Sequence, residues 1–285
     1  MSTSTESTGA PASLVPVQMS KAQGAISDTL TISKRNLIRL LRVPDSIVFG
    51  IIQSVMFVLL FRFVFGGAIE VPGGSYVEFL MGGIFVQTVA FSSATTTIAM
   101  AEDLNRGIID RFRSLPMAKG AVLAGRTVSD LAFSVITVTA MAITGLLVGW
   151  RTHSTFLDIV AGFGLLFLFG YAFLWVGAVI GMSVKSPEIA QTAGLIWLFP
   201  LTFLSNAFVP LETMPSWLQP IAEWNPISSV VLAIRQLFGN LPAGYDPGDS
   251  FPMQNPILMS IIWCVGLMAV FIPLGVSRYR KAASR

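Results

Sequence analysis

The sequence predicts an all-α integral membrane protein with six transmembrane helices. Three observations carry this. Six long apolar stretches are almost free of charge, each is long enough to cross a bilayer, and lysine and arginine crowd into alternate gaps between them. A hydrocarbon core of about 30 Å takes roughly 20 helical residues to span. Inside it only helices and closed barrels satisfy their own backbone, and the alternation expected of barrel strands is missing. Composition agrees, with 53% hydrophobic and 12% charged residues and a mean hydropathy of +0.72.

The first residues, 1–25, are rich in Ser, Thr, Pro and Ala and lack both a basic start and an apolar run. They read as a disordered tail and not as a signal peptide. Residues 26–285 form the membrane domain. It opens with an amphipathic segment in which Ile26, Leu30, Leu37 and Leu41 share one helical face and Arg35, Arg39 and Arg42 another. That is the pattern of a helix lying flat at a membrane surface, as a lipid anchor or as a contact for a partner. Pro44 then turns the chain into the bilayer.

The spans follow in order: Ile47–Phe65, Phe79–Ala101, Ala121–Gly149, Leu157–Gly181, Ile189–Val209 and Pro256–Ser277. Between the second and third lies Glu102–Gly120. Its residues Leu104, Ile108, Phe112 and Leu115 form an apolar stripe, opposed by Asp103, Arg106, Asp110 and Arg113. Such a short charged helix suits docking on another protein, or else it is a solvated loop whose basic residues only set topology. Before the last span, Asn225 offers an N-cap, Pro226 a first helical position and Gly239 a stop, which predicts a helix over Pro226–Phe238. With the preceding turn it is too short to span and reads as a re-entrant or interfacial hairpin, with Trp217 and Trp224 at headgroup depth, or as an ordered outer loop.

Placing the N-terminus inside puts fifteen of the eighteen Lys and Arg on the inner side and leaves Arg62, Arg151 and Arg235 on the outer side. The positive-inside rule therefore makes both termini cytoplasmic. The basic residues are distributed by loop and not gathered on one surface, which argues against nucleic-acid binding despite the net charge of +3. The single cysteine, Cys264, lies in the last span, so no intrachain disulfide can form.

Chemistry is sparse. The phosphate-cradling pattern G-x-x-x-x-G-K-[ST] is absent, and His153 is the only histidine, leaving neither a metal cluster nor a Ser-His pair. Arg126 and Asp130, spaced i, i+4 at the inner start of the third span, are placed to pair, because a lone charge at mid-bilayer would cost several kcal/mol, on the order of 3. Gln53, Gln87, Ser92 and Thr95 could line a cargo cavity with Phe57, Phe61, Phe91, Phe203 and Phe208, or could simply satisfy helix backbone and face lipid. Two G-x-x-x-G pairs, Gly145–Gly149 and Gly177–Gly181, permit close helix approach without locating a dimer interface.

GIIDRFRSLPM at Gly107–Met117, AVLAGR at Ala121–Arg126 with Asp130, and PLTFLSNAFVPLETMPSWLQPIAEWNPIS at Pro200–Ser228 resemble the type-2 permeases of ATP-binding-cassette exporters, in the daunorubicin-resistance branch. The resemblance covers nearly the whole chain after about residue 25. It implies a bacterial plasma-membrane permease paired with a second permease subunit, as a homodimer or pseudo-dimer. Two copies of a separate cytoplasmic ATPase carry the ATP and Mg, with no cofactor and no catalytic residue in this chain. ATP-driven alternating access then moves a hydrophobic or amphiphilic molecule outward. Asp103–Leu115 maps onto the family's coupling helix, which makes Asp103, Arg106, Asp110, Arg111 and Arg113 ATPase-coupling residues, and the N-terminal helix with Arg35, Arg39 and Arg42 a further ATPase contact. A membrane-embedded enzyme and a structural or assembly subunit are the alternatives.

Overall fold

The computed structural model describes residues 21–42, 44–65, 74–107 and 120–282. Among these every regular element is helical: α1 Lys21–Arg42, α2 Pro44–Leu60 continued by a π-helical turn over Phe61–Phe65, α3 Tyr76–Asn105, α4 Ala121–Leu147, α5 Phe156–Gly181, α6 Pro187–Ile196, α7 Leu198–Phe203, α8 Gln219–Glu223, α9 Pro226–Phe238, α10 Phe251–Gln254 and α11 Pro256–Ala282. Five are long and apolar enough to cross a membrane: Ile47–Val64 and the long stretches of α3, α4, α5 and α11.

The fifth apolar stretch of the sequence is not one helix. It divides into α6 and α7 at Trp197. Pro200 has no N–H for the Ile196 carbonyl, so the helical ladder is interrupted and resumes with a long bond from Leu201 N–H to the Trp197 carbonyl at 3.4 Å. Sequence periodicity sees a continuous apolar run here, whereas the backbone donor missing at Pro200 divides it. Beyond Phe203 the chain runs through turns to Pro210.

α3 is the central element, buried along most of its length, while α2 and α11 present most of their apolar surface outward. The closest packing joins α3 to α5. Side chains at Gly177 and Gly181 would collide with the Ser93 and Thr97 carbonyls of α3, and the Thr97 hydroxyl donates across the seam to the Gly177 carbonyl at 3.0 Å. One G-x-x-x-G pair is therefore an internal helix contact. In the other, Gly145 meets Met81 and Trp150, and Gly149 leaves the helix with φ +103°.

Near the Arg235 end of the bundle, Phe85, Trp150, Phe163 and Phe238 form an aromatic core, with ring centroids 5.0 to 6.3 Å apart among the contacts made by Phe238. Such edge and tilted arrangements favour the ring quadrupoles. Trp150 Nε1 donates to Asn240 Oδ1 at 2.9 Å, and Asn240 Nδ2 donates to the Arg151 carbonyl at 2.7 Å, so the loop after α9 is tied to the α4–α5 connection. Helix α9 runs between the two signals read in the sequence: Asn225 Oδ1 accepts from Ile227 N–H at 2.8 Å, and Gly239 closes it with φ +69°.

α1 packs along the start of α4. Its contact is Ile32, seated over Gly125, flanked by Ser33 Oγ donating to the Gly125 carbonyl at 3.2 Å. The apolar stripe read from the sequence is offset from this face: Leu30 is 62% exposed, and the side chains of Ile26 and Leu41 lie outside the described residues. Thr29, Ile32 and Ser33 pack because α4 offers a glycine there, a property of the neighbouring helix that the α1 pattern alone does not carry.

Candidate functional site

The charges flanking the 106–120 connection converge. Arg126 on the second turn of α4 donates from Nε to both Asp130 oxygens at 3.1 and 3.2 Å, and its Nη1 lies 3.5 Å from Asp103 Oδ2. The Thr96 hydroxyl of α3 donates to Asp130 Oδ2 at 2.7 Å. The pair read from the i, i+4 spacing is thus the centre of a four-residue cluster joining the end of α3 to the start of α4.

Asp103 changes place relative to the sequence reading. α3 does not stop at Ala101 but continues to Asn105, so Asp103 belongs to its last turn and points at Arg126 instead of standing on a separate docking helix. The uninterrupted helical ladder wins over the change in polarity at Glu102. Arg106 pairs on the surface with Glu102 at 3.3 Å, and Gly107 leaves the helix with φ +64°. Asp110, Arg111 and Arg113 lie outside the described residues. Of the N-terminal arginines, Arg35 and Arg42 are exposed, and the side chain of Arg39 lies outside the described residues.

The cluster forms one wall of an open cavity of about 550 Å³ lined by α1 to α4. Asn36 comes from α1, Gln53 from α2, Ser92 and Thr95 from α3, and Arg126 with Asp130 from α4. Three of the residues read as cargo-lining, Gln53, Ser92 and Thr95, therefore share a cavity with the charge cluster.

The phenylalanines in the same reading do not line it. They form a row instead: Phe57 to Phe61 at 4.8 Å, Phe61 to Phe208 at 5.0 Å, Phe208 to Phe203 at 6.0 Å, Phe203 to Phe199 at 6.0 Å and Phe199 to Phe91 at 5.5 Å. Phe91 adjoins Ser92 of the cavity in the chain. Gln87, one turn before Phe91, is buried with its side-chain oxygen unpartnered. The sequence reading omitted Phe199, which completes the row.

At the other end of the bundle is a second cavity, of about 460 Å³, lined among others by Phe79, Asn206, Gln219, Glu223, Arg235 and Asp246. Arg235 is only 2% exposed. The sequence reading used it merely as one of three outer charges. The signal was present: Arg235 is the one charge in the otherwise apolar run Pro226–Phe238, and a charge in such a helix has to be paired, hydrogen-bonded or solvated.

A helical bundle with five membrane-length helices, a charge cluster joining its second and third, and a polar cavity beside that cluster is the architecture of a multi-pass membrane protein. Residues 27–239 match the ABC-2 type transporter family. The chain is 33% identical over 259 residues, covering 90% of its length and 87% of the relative's, to the daunorubicin resistance ABC transporter permease protein DrrB1 of Streptomyces coeruleorubidus. It is 24% identical to the probable doxorubicin resistance ABC transporter permease protein DrrC of Mycobacterium tuberculosis, covering 95% of this chain and 96% of that one. It is 27% identical to the putative transport permease ycf38 of Cyanophora paradoxa, over 75% of each chain. The chain belongs to the ABC-2 type transporter family, as a membrane permease subunit of an ABC exporter.

Proposed function

We propose that this permease moves a hydrophobic or amphiphilic molecule outward by alternating access, powered by ATP hydrolysis on a separate subunit. The observation that carries this reading is the cavity walled by Arg126 and Asp130, because one cluster lines the proposed cargo space and joins the two helices that flank the connection proposed to meet the ATPase. The polar cavity takes up the molecule from the inner side. The row from Phe91 to Phe57 offers aromatic faces to an apolar body. Relatives named for daunorubicin and doxorubicin resistance place drug-like molecules among the first cargoes to try.

In this reading both termini face the cytoplasm, the 106–120 connection docks on the ATPase, and α6 with α7 forms a sixth, broken crossing. Helices α8 and α9 dip in from the outer side. A second copy of the chain completes the channel, two ATPase subunits bind beneath it, and the assembly sits in the bacterial plasma membrane. Nucleotide and Mg belong to the ATPase, since this chain has no phosphate-cradling motif.

The test is transport into inside-out vesicles holding the chain with its ATPase, against a hydrolysis-dead ATPase variant. Accumulation inside the vesicles only with the active ATPase is the expected result. Equal transport by both preparations would overturn the ATP-driven reading.

A further inference from the structure

Among the described residues, the Arg235 guanidinium lies in this cavity without a salt-bridge partner. The guanidinium donates from Nε to the Phe79 carbonyl at 2.8 Å and from Nη2 to the Ala207 carbonyl at 3.1 Å, and it lies 3.5 Å over the Phe79 ring. All three contacts are neutral, and among the described residues no carboxylate forms an ion pair with it. An ion removed from water in this way is strongly destabilised unless an opposite charge reaches it.

The surroundings narrow what that charge can be. Asn206 is 4% exposed, lines the same cavity and keeps its side-chain oxygen without a hydrogen-bond partner. The wall therefore carries both a donor group and a buried, unpartnered acceptor. Glu223, half-buried, and Asp246, exposed, bring carboxylates to the same cavity. They disfavour a polyanion and attract a positive group that follows an anionic one. Exposed Trp217, Ile221 and Trp224 flank this region before, on and just after α8. Tryptophan at such a position belongs to the headgroup layer of a bilayer.

We propose that this cavity binds a zwitterionic phosphate headgroup, with its phosphate oxygens on Arg235 and its ammonium group toward Glu223 and Asp246, supplied by a membrane lipid. The site lies on the exit side if the exporter reading above holds, and it would receive the head of an amphiphile while the tail rests along the apolar surface beside Trp217 and Trp224. Arginine suits the role because its planar fork binds a phosphate through two parallel hydrogen bonds.

The experiment is calorimetric titration of the full-length chain, purified in detergent without its ATPase, with dihexanoyl phosphatidylethanolamine. Dihexanoyl phosphatidylglycerol, which keeps the phosphate and lacks the ammonium, is the comparison, and free O-phosphoethanolamine is the competitor. Saturable binding of the ethanolamine lipid at least tenfold tighter than of the glycerol lipid is expected. Arg235→Gln should abolish binding of both. Glu223→Gln combined with Asp246→Asn, near-isosteric changes at a half-buried and an exposed position, should remove the tenfold preference while leaving the chain folded. Displacement of the lipid only by other lipids fits a membrane source, whereas displacement by micromolar free phosphoethanolamine would overturn the lipid assignment. Partitioning without saturation, or a preference unchanged in the Glu223/Asp246 variant, would overturn the site. Because the titration involves no ATPase and no transport, failure here leaves the exporter reading intact, and failed transport with intact binding would count against that reading alone.

Discussion

Replacing Asp130 by asparagine removes one charge from the Arg126 cluster and leaves an acceptor for the Thr96 hydroxyl. The magnitude follows from how far the cluster is withdrawn from water. The Arg126 and Asp130 side chains are 24% and 22% exposed. A fully exposed pair contributes about 0.2–1 kcal/mol, and breaking a fully buried one costs about 3–5 kcal/mol. Two facts pull the value below the upper range: a quarter of each side chain stays solvated, and Asp103, 3.5 Å from Arg126, remains in the variant. A coupling between Arg126 and Asp130 of about 1–2 kcal/mol results. It is measured by a double-mutant cycle with Arg126→Gln and Asp130→Asn, using reversible unfolding of the purified chain in mixed micelles. A further variant sharpens the test: removing both Asp103 and Asp130 strands a half-buried cation, so adding Arg126→Gln to that pair should recover stability. Additive single-variant effects within about 0.3 kcal/mol would refute the cluster as an energetic unit.

Three other outcomes are expected. In a chain whose Cys264 is replaced by alanine, a cysteine at Ser216 should react with an impermeant thiol reagent in intact cells and one at Ser114 should not; the reverse order would invert the proposed topology. Gly177→Val should destabilise the chain by about 1–3 kcal/mol through collision with the Ser93 carbonyl, whereas Gly164→Ala, which has open space beside it, should be close to neutral; thermal unfolding in detergent compares them. Asn225→Ala should cost about 2 kcal/mol, more than an ordinary N-cap, because its Nδ2 also donates to the Leu201 and Leu204 carbonyls at 2.6 Å each; a loss within about 0.5 kcal/mol would show those two bonds to be idle.

The sequence made legible whatever is encoded locally. Apolar length announced the long helices, and the i, i+4 spacing of Arg126 and Asp130 announced their pairing. Asn225 and Gly239 announced the limits of α9. What escaped depends on groups that meet from distant parts of the chain. Thr96 reaches Asp130 only because α3 and α4 lie side by side. Ile32 is buried only because Gly125 leaves room for it. Asp103 looked like a docking charge because the switch to polar residues at Glu102 resembles the end of a helix, and the backbone continues through it. The divided fifth stretch was marked by Pro200, whose missing donor was outweighed in the reading by an unbroken apolar run. The Phe91–Phe199 contact and the neutral carbonyls that meet the Arg235 guanidinium are tertiary facts that no single helical wheel displays.

The glycine seam between α3 and α5 bears on how such a bundle can move. Two backbones in direct contact, crossed by the Thr97 hydroxyl, have no layer of side chains between them to change rotamer and absorb sliding. The pair must travel as a single strut or not travel at all. In the alternating-access motion proposed above, opening and closing then falls to elements less tightly joined to this α3–α5 spine, such as α2 with its aromatic row.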